Sequence, residues 1–340
     1  MPLFTPLSTP LPTIRQPALA AFDAATLAEA RRFNRCLAWA PRLRIRNRVT
    51  PMLVQSLLRL GQVADGARLA RAGVRASREF AECDGLRVPV RILTGTRPAR
   101  AVVLDFHGGG WVIGNAQMND GLNIALVNAC EVTVVSVDYR LMPSHTLQDM
   151  LDDCLAAARW LLETQFAGLP IFVVGESAGG HLAAATLLRL KQWPPLLARI
   201  EGVVLYYGVY DLAGTPSVRA AGPDTLLLHG PSMAASMRML TPGLDEAEQR
   251  LPPLSPLYGA LDGMPPALMI AGERDPLRDD TVLMARRWGE VADVELHLPP
   301  EAAHGFIRFP IALARQVQAR THAWLNERIN ARIAAVRPPP

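Results

Sequence analysis

Pro170-Ile171-Phe172-Val173-Val174-Gly175-Glu176-Ser177-Ala178-Gly179-Gly180 passes from an apolar run, through a serine flanked by glycines, into the helix-forming stretch His181 to Lys191. The order is strand, sharp turn, helix, with Ser177 at the apex. Such a turn is strained and lifts the hydroxyl clear of the sheet edge. Side chains in place of the flanking glycines would clash with the adjoining strand and helix. The pattern predicts a serine nucleophile at a strand-to-helix elbow. Gly-x-Ser-x-Gly also occurs in ordinary glycine-rich turns, so three further stretches carry the assignment.

Upstream, the strand-like run Ala101 to Phe106 leads into His107-Gly108-Gly109-Gly110-Trp111. Consecutive glycines leave backbone N–H groups unobstructed. Acyl transfer needs such donors, because the carbonyl oxygen becomes an oxyanion, and each fixed donor contributes on the order of 3 kcal/mol. The residue after the nucleophile, Ala178, would supply a further N–H. His107 reads as a brace for the glycine loop, together with Gly108.

Downstream, Ala267 to Ala271 reads as a buried strand that ends in Gly272-Glu273-Arg274-Asp275-Pro276. Pro276 disfavours helical backbone at Asp275, which holds the carboxylate in a turn before a helix starting near Leu277. Asp279 and Asp280 are rivals, but they fall inside that helix. Val291 to Leu298 reads as the last strand, with Val294, Leu296 and Leu298 alternating against Glu295 and His297; His304-Gly305-Phe306 follows on a loop. His304 could take the serine proton and return it to the leaving group, while Asp275 holds the ring in the right tautomer.

Serine, then acid, then histidine is the chain order of α/β-hydrolases. The chain resembles the hormone-sensitive lipase family of that fold, a group of esterases with many microbial members. The residues carrying the resemblance are His107 to Trp111, Asp138-Tyr139-Arg140-Leu141, Gly175 to Gly180, Asp275-Pro276-Leu277 and His304-Gly305-Phe306, over about 200 residues in the family's order. The resemblance implies a triad of Ser177, Asp275 and His304, with oxyanion donors from Gly109, Gly110 and Ala178. It also implies hydrolysis of carboxylic esters with short or medium acyl chains, without a cofactor or metal. Where the family usually has Ala-Pro-Glu-His-Pro-Phe-Pro-Ala, this chain has Met142-Pro143-Ser144-His145-Thr146-Leu147-Gln148-Asp149, so Ser144 replaces the usual glutamate. Amide hydrolysis, lactone opening and acyl transfer would use the same residues. A non-catalytic receptor on this fold would lack part of the triad.

The rest of the chain agrees. A length of 340 residues and an apolar fraction of 50% suit one large α/β domain with a lid. Strands over 101–106, 132–137, 170–175 and 201–206 alternate with helices over 119–130, 147–164 and 178–191. The expected fold is therefore a mostly parallel twisted sheet with helices on both faces. Residues 81–208 and 257–336 would form the catalytic core. Residues 1–80, read as mostly helical, and the insertion 209–256 lack strand periodicity. By the resemblance they form a helical cap, with Trp111, Met233, Met237 and Met239 as candidates for a substrate pocket. Residues 337–340 read as a disordered tail.

Cys36, Cys83, Cys130 and Cys154 form no metal-binding or disulfide pattern, which fits a reducing cytoplasm. The start of the chain shows no secretory pattern, and no apolar run approaches the roughly 18 residues that span a bilayer. Residues 1–75 hold twelve arginines against Asp23, Glu29 and Asp65, although the whole chain is only +4. Lys191 is the sole lysine, so arginine does the ordinary solubilising, and no nucleic-acid motif accompanies the charge. The expected partner is a small-molecule ester. Some members of the family pair through an edge strand, which leaves a homodimer open.

Overall fold

Four apolar runs with every residue buried, Ala101–Phe106 (β4), Val132–Val137 (β5), Ile171–Glu176 (β6) and Ala267–Ile270 (β8), set the architecture. Strands buried on both faces belong to a parallel sheet covered by helices on each side. The computed structural model describes residues 14–15, 22–40, 55–56, 58–59, 62, 65–166 and 168–336. Among these residues it shows one nine-stranded sheet in the order β1-β9-β8-β7-β6-β4-β5-β3-β2. The other strands are Ile14–Arg15 (β1), Arg75–Cys83 (β2), Leu86–Thr94 (β3), Ile200–Tyr206 (β7) and Val294–His297 (β9). Pairing is parallel from β1 through β5 and antiparallel where β3 joins β5 and β2 joins β3.

Successive β4 residues point to opposite faces, and the core divides accordingly. Val102 and Leu104 join an apolar cluster with the helices Leu147–Trp160, Ala178–Leu190 and Arg278–Gly289. Ala101 and Val103 join a second cluster with the helices Ala24–Trp39, Asp120–Cys130 and Ala312–Val336. No helix among the described residues is long and apolar enough to cross a membrane.

Some local expectations need correction. Residues 75–80, read as part of a helical segment, lie in β2, which pairs with β3 through the two-residue turn Asp84-Gly85. Both turn residues have positive φ, 48° and 78°, as a tight hairpin of this kind requires. β2 is an edge strand with mostly exposed side chains, so it carries no apolar stripe. The helix read over 147–164 closes at Trp160 and continues as a π-turn, Leu161–Gln165. Of the N-terminal stretch read as mostly helical, Ala24–Trp39 and Asp65–Arg71 are helices, whereas residues 41–54, with four of the twelve arginines, and the tail 337–340 lie outside the described residues.

Glu295 and His297, read as the polar face of the last strand, are both buried. Glu295 accepts hydrogen bonds from His297 Nε2 at 2.6 Å and from the Arg320 guanidinium at 2.6 Å on each oxygen. Burial alone would push this carboxyl up, but His297 and Arg320 outweigh it and hold it at about 2, against an ordinary 4.5. A depressed acid stabilises the folded state above its unfolded pKa and loses that contribution as pH falls towards the folded one. Glu295→Gln should therefore unfold about 1–2 kcal/mol more easily at pH 7, allowing for solvent screening at Arg320. The gap from the parent should narrow below about pH 4.5 and nearly close at pH 2, measured by urea titration across that range. A gap that stayed constant with pH would contradict the charge pairing.

Candidate active site

β6 ends at Glu176 and the next helix begins at Ala178, so Ser177 must reverse the chain in one residue. It does so at φ 52° and ψ −120°, a conformation that L residues avoid at a cost of roughly 1–3 kcal/mol. The Ser177 N–H donates to Tyr206 O at 2.9 Å, and the Ser177 carbonyl accepts from His181 N at 3.2 Å. Both ends of the turn are thus fixed, and Oγ stands above the sheet.

Asp275 follows β8 and His304 follows β9, so neighbouring strands bring both towards the elbow. His304 Nε2 lies 3.0 Å from Ser177 Oγ, and His304 Nδ1 lies 2.9 Å from Asp275 Oδ2. A carboxylate oxygen accepts, so Nδ1 carries the ring proton and Nε2 is left with a lone pair facing the serine hydroxyl. Asp275 Oδ1 accepts from Leu277 N at 2.8 Å, which fixes the carboxylate before the helix begins. Both side chains are buried. The ring of Tyr207 packs on His304 at 4.8 Å between centroids.

The two rival aspartates serve elsewhere. Asp279 accepts from Ser217 N, and Asp280 accepts from Tyr210 N, Asp211 N and Thr215 Oγ1. Burial pushes the Asp280 carboxyl up to about 7, against these hydrogen bonds. It braces the segment that leaves β7.

The glycine loop leaves β4 beside the elbow. Gly109 has φ 118° and Gly110 φ 59°. A Cβ on Gly109 would lie 2.0 Å from Ile113 O, so only glycine fits there. The Gly109 carbonyl accepts from Val112 N at 3.2 Å and Ile113 N at 3.1 Å, which curls the loop back on itself. Among the described residues, the amides of Gly109, Gly110 and Ala178 have no hydrogen-bond acceptor, whereas Gly108 N donates to Glu176 Oε1 at 3.3 Å. His107 is fully buried, stacks on Tyr139 at 4.2 Å, and donates from Nδ1 to Gly108 O at 2.7 Å. Burial pushes its pKa down, so it stays neutral and braces the loop.

The loop is also held from beyond. Met142 N donates to Trp111 O at 3.0 Å, so backbone ties the departing segment to the loop while Ser144 stands exposed. Trp111 Nε1 donates to His181 Nδ1 at 3.3 Å, and His181 Nε2 donates to Leu254 O at 2.8 Å. Burial pushes His181 down to about 4, so the ring is neutral and both nitrogens are used. Gln55 exchanges two hydrogen bonds of 2.8 Å with the backbone of Gly114.

A cavity of about 650 Å³ opens over Ser177 and His304. Gly108, Gly109 and Gly110 line it, as do Trp111, Met233, Met237 and Met239, the residues proposed from sequence for a pocket. Met233 and Met237 come from the helix Gly230–Leu240, inside the segment 209–256. Sequence reasoning missed Met118, Met142 and Tyr207 on its wall, and it missed the ion pair between Glu176 and Arg308. The position of Arg308, four residues past His304, was the one available signal.

A family model described as alpha/beta hydrolase fold matches residues 103–308. The carboxylesterase NlhH of Mycobacterium tuberculosis is 33% identical over 298 residues, covering 80% of this chain and 92% of the relative. The crystal structure of the esterase LipW from Mycobacterium marinum superposes with a TM-score of 0.76 at 26% identity, covering 93% of this chain and 98% of the other. A hormone-sensitive lipase from a metagenome library superposes with a TM-score of 0.72 at 26% identity, covering 88% and 98%.

Proposed function

Since the chain belongs to the α/β-hydrolase fold family, in its hormone-sensitive lipase branch, we propose that this carboxylic ester hydrolase works through an acyl-enzyme on Ser177. The observation that carries the proposal is the run of contacts from Asp275 Oδ2 to His304 Nδ1, 2.9 Å, and from His304 Nε2 to Ser177 Oγ, 3.0 Å. Ser177 Oγ attacks the acyl carbon as His304 takes its proton. Asp275 keeps the imidazole in the required tautomer and stabilises it when charged. The amides of Gly109, Gly110 and Ala178, which have no acceptor of their own among the described residues, hold the oxyanion. His304 returns the proton to the leaving alcohol. Water, activated by the same histidine, then releases the acid.

The insertion 209–256 and the part of residues 1–74 that lies outside the sheet act as the cap. Met233 and Met237 press on the cavity from residues 209–256, and Gln55 reaches Gly114 from residues 1–80. Covering the strand ends excludes water and strengthens the donors' field. Cys36, Cys83, Cys130 and Cys154 are all free thiols, which supports a cytoplasmic setting. A homodimer is tested by sizing in solution.

The cavity of about 650 Å³ suits a ligand of modest size, within the range usual for small-molecule sites. Nitrophenyl esters from acetyl to palmitoyl should show highest kcat/KM at short to medium chains, with palmitoyl at least ~10-fold lower. A maximum at palmitoyl would overturn the chain-length assignment. Adding an alcohol acceptor to the same panel would expose acyl transfer, and fluorophosphonate labelling reports whether Ser177 is activated.

A further inference from the structure

Glu176 immediately precedes the serine, and its carboxylate does not face solvent. Oε1 accepts from Gly108 N at 3.3 Å, at the start of the glycine loop. Oε2 accepts from the Tyr207 hydroxyl at 3.1 Å, and the Tyr207 ring packs on His304. Arg308 Nε donates to both oxygens at 3.1 Å, and its Nη2 also donates to Oε1. The same guanidinium donates from Nη1 to Met118 O at 3.0 Å and from Nη2 to Asn119 Oδ1. Asn119 cannot turn its amide over, because its Nδ2 donates to Asp105 Oδ1 at 2.9 Å. Asp105 is itself held by Asn123 Nδ2 and Ser136 Oγ.

We propose that the Arg308–Glu176 pair is a positioning device that locks the glycine loop, the turn at Ser177 and the His304 turn into one frame. This rests on the esterase reading and adds a role for residues outside the triad. A planar guanidinium with several donors can hold a carboxylate and two loop oxygens at once; an ammonium cannot reproduce that fork. Glu176 in turn links the glycine loop, through Gly108, to the histidine side, through Tyr207.

Around Glu176 stand Arg308, the phenols of Tyr139, Tyr206 and Tyr207, the Asp105 carboxyl and the His107 imidazole. Burial keeps the phenols protonated and pushes His107 down, so within this group Arg308 alone supplies positive charge at neutral pH. Burial would push the Glu176 carboxyl up, but Arg308 reverses this and holds it below 4.5. Without Arg308 the carboxyl would gain a proton at a higher pH. Gly108 N–H would then lose its charged acceptor, and the oxyanion donors would shift.

The test compares wild type, Arg308→Ala and Arg308→Lys by steady-state kinetics on a short-chain nitrophenyl ester, with thermal melting as the folding control. Arg308→Ala should lower kcat roughly 100-fold with little change in KM, the scale of a misplaced reacting group. Its kcat relative to wild type should rise with pH as Glu176 ionises, and guanidinium chloride at sub-denaturing concentration should restore part of it. Arg308→Lys should lose at least about 5-fold in kcat, because the charge remains and the fork does not. Normal kcat in both variants would overturn the proposal, as would an Arg308→Ala loss that ignores both pH and guanidinium. If Arg308→Ala does not fold, Arg308→Lys decides alone: wild-type kcat there overturns the proposal. An inert wild type would instead sink the esterase reading itself.

Discussion

Ser177→Ala should lower kcat on a short-chain ester by at least roughly 10⁴-fold, with the protein still folded and still binding substrate. The serine donates its proton to a nitrogen 3.0 Å away, and no other hydroxyl in the site stands in that relation to His304 among the described residues. Removing Oγ deletes the attacking atom and leaves the glycine-loop amides and the cavity intact. Some catalysis over water therefore persists, since donors and binding act without the nucleophile. His304→Ala should cost about as much, and the double variant little more than either single one. Nucleophile and base act on one proton, so their contributions do not add. The check is kcat for the two single variants and the double variant, together with loss of fluorophosphonate labelling. Near-normal turnover in Ser177→Ala would end the assignment. Costs that multiplied in the double variant would show that His304 works through something other than Ser177.

The features legible in the sequence were those written locally. The elbow, the glycine loop, Asp275-Pro276 and His304-Gly305 each sit at the end of an apolar run, and the parallel sheet follows from the alternation of such runs with helices. The structure then brings Ser177 and His304, 127 positions apart, into hydrogen-bond distance. What stayed hidden lacked a local pattern. The pairing of Glu176 with Arg308 joins residues 132 positions apart and leaves no periodic trace. Glu295 and His297 alternate like an exposed face, yet Arg320 from the last helix covers them. β2 is polar because it forms the edge of the sheet, so it resembled its helical neighbours in composition. Charges that pair across the fold and strands that need no apolar face are the two kinds of feature that composition disguises.

Gly179→Ala should damage both the fold and the reaction. A Cβ at residue 179 would lie 1.9 Å from Phe106 O and 2.6 Å from His107 O. Neither oxygen can step aside freely, because Phe106 is paired with Gly175 of β6 and the Tyr139 hydroxyl donates to His107 O at 2.6 Å. Side-chain overpacking costs about 1–3 kcal/mol when neighbours can rotate away. Here the obstacle is backbone, so a cost above roughly 4 kcal/mol is expected, a large share of the ~5–15 kcal/mol that holds a protein folded. The thermal midpoint should fall by roughly 10 °C or more, or the protein should fail to accumulate.

The folded remainder should also turn over slowly. The helix starting at Ala178 would have to withdraw from the end of β4, carrying the Ala178 amide and Ser177 away from the glycine loop. A displacement of about 1 Å between such groups costs on the order of 100-fold in rate. Gly66→Ala is the control, at a helical site where a Cβ would meet no described atom within 4 Å, and it should melt at or slightly above the parent temperature. Wild-type melting and turnover in Gly179→Ala would mean that helix and strand end can part by the width of a methyl group at no cost. The close approach at Gly179 would then have no part in aligning the nucleophile with its oxyanion donors.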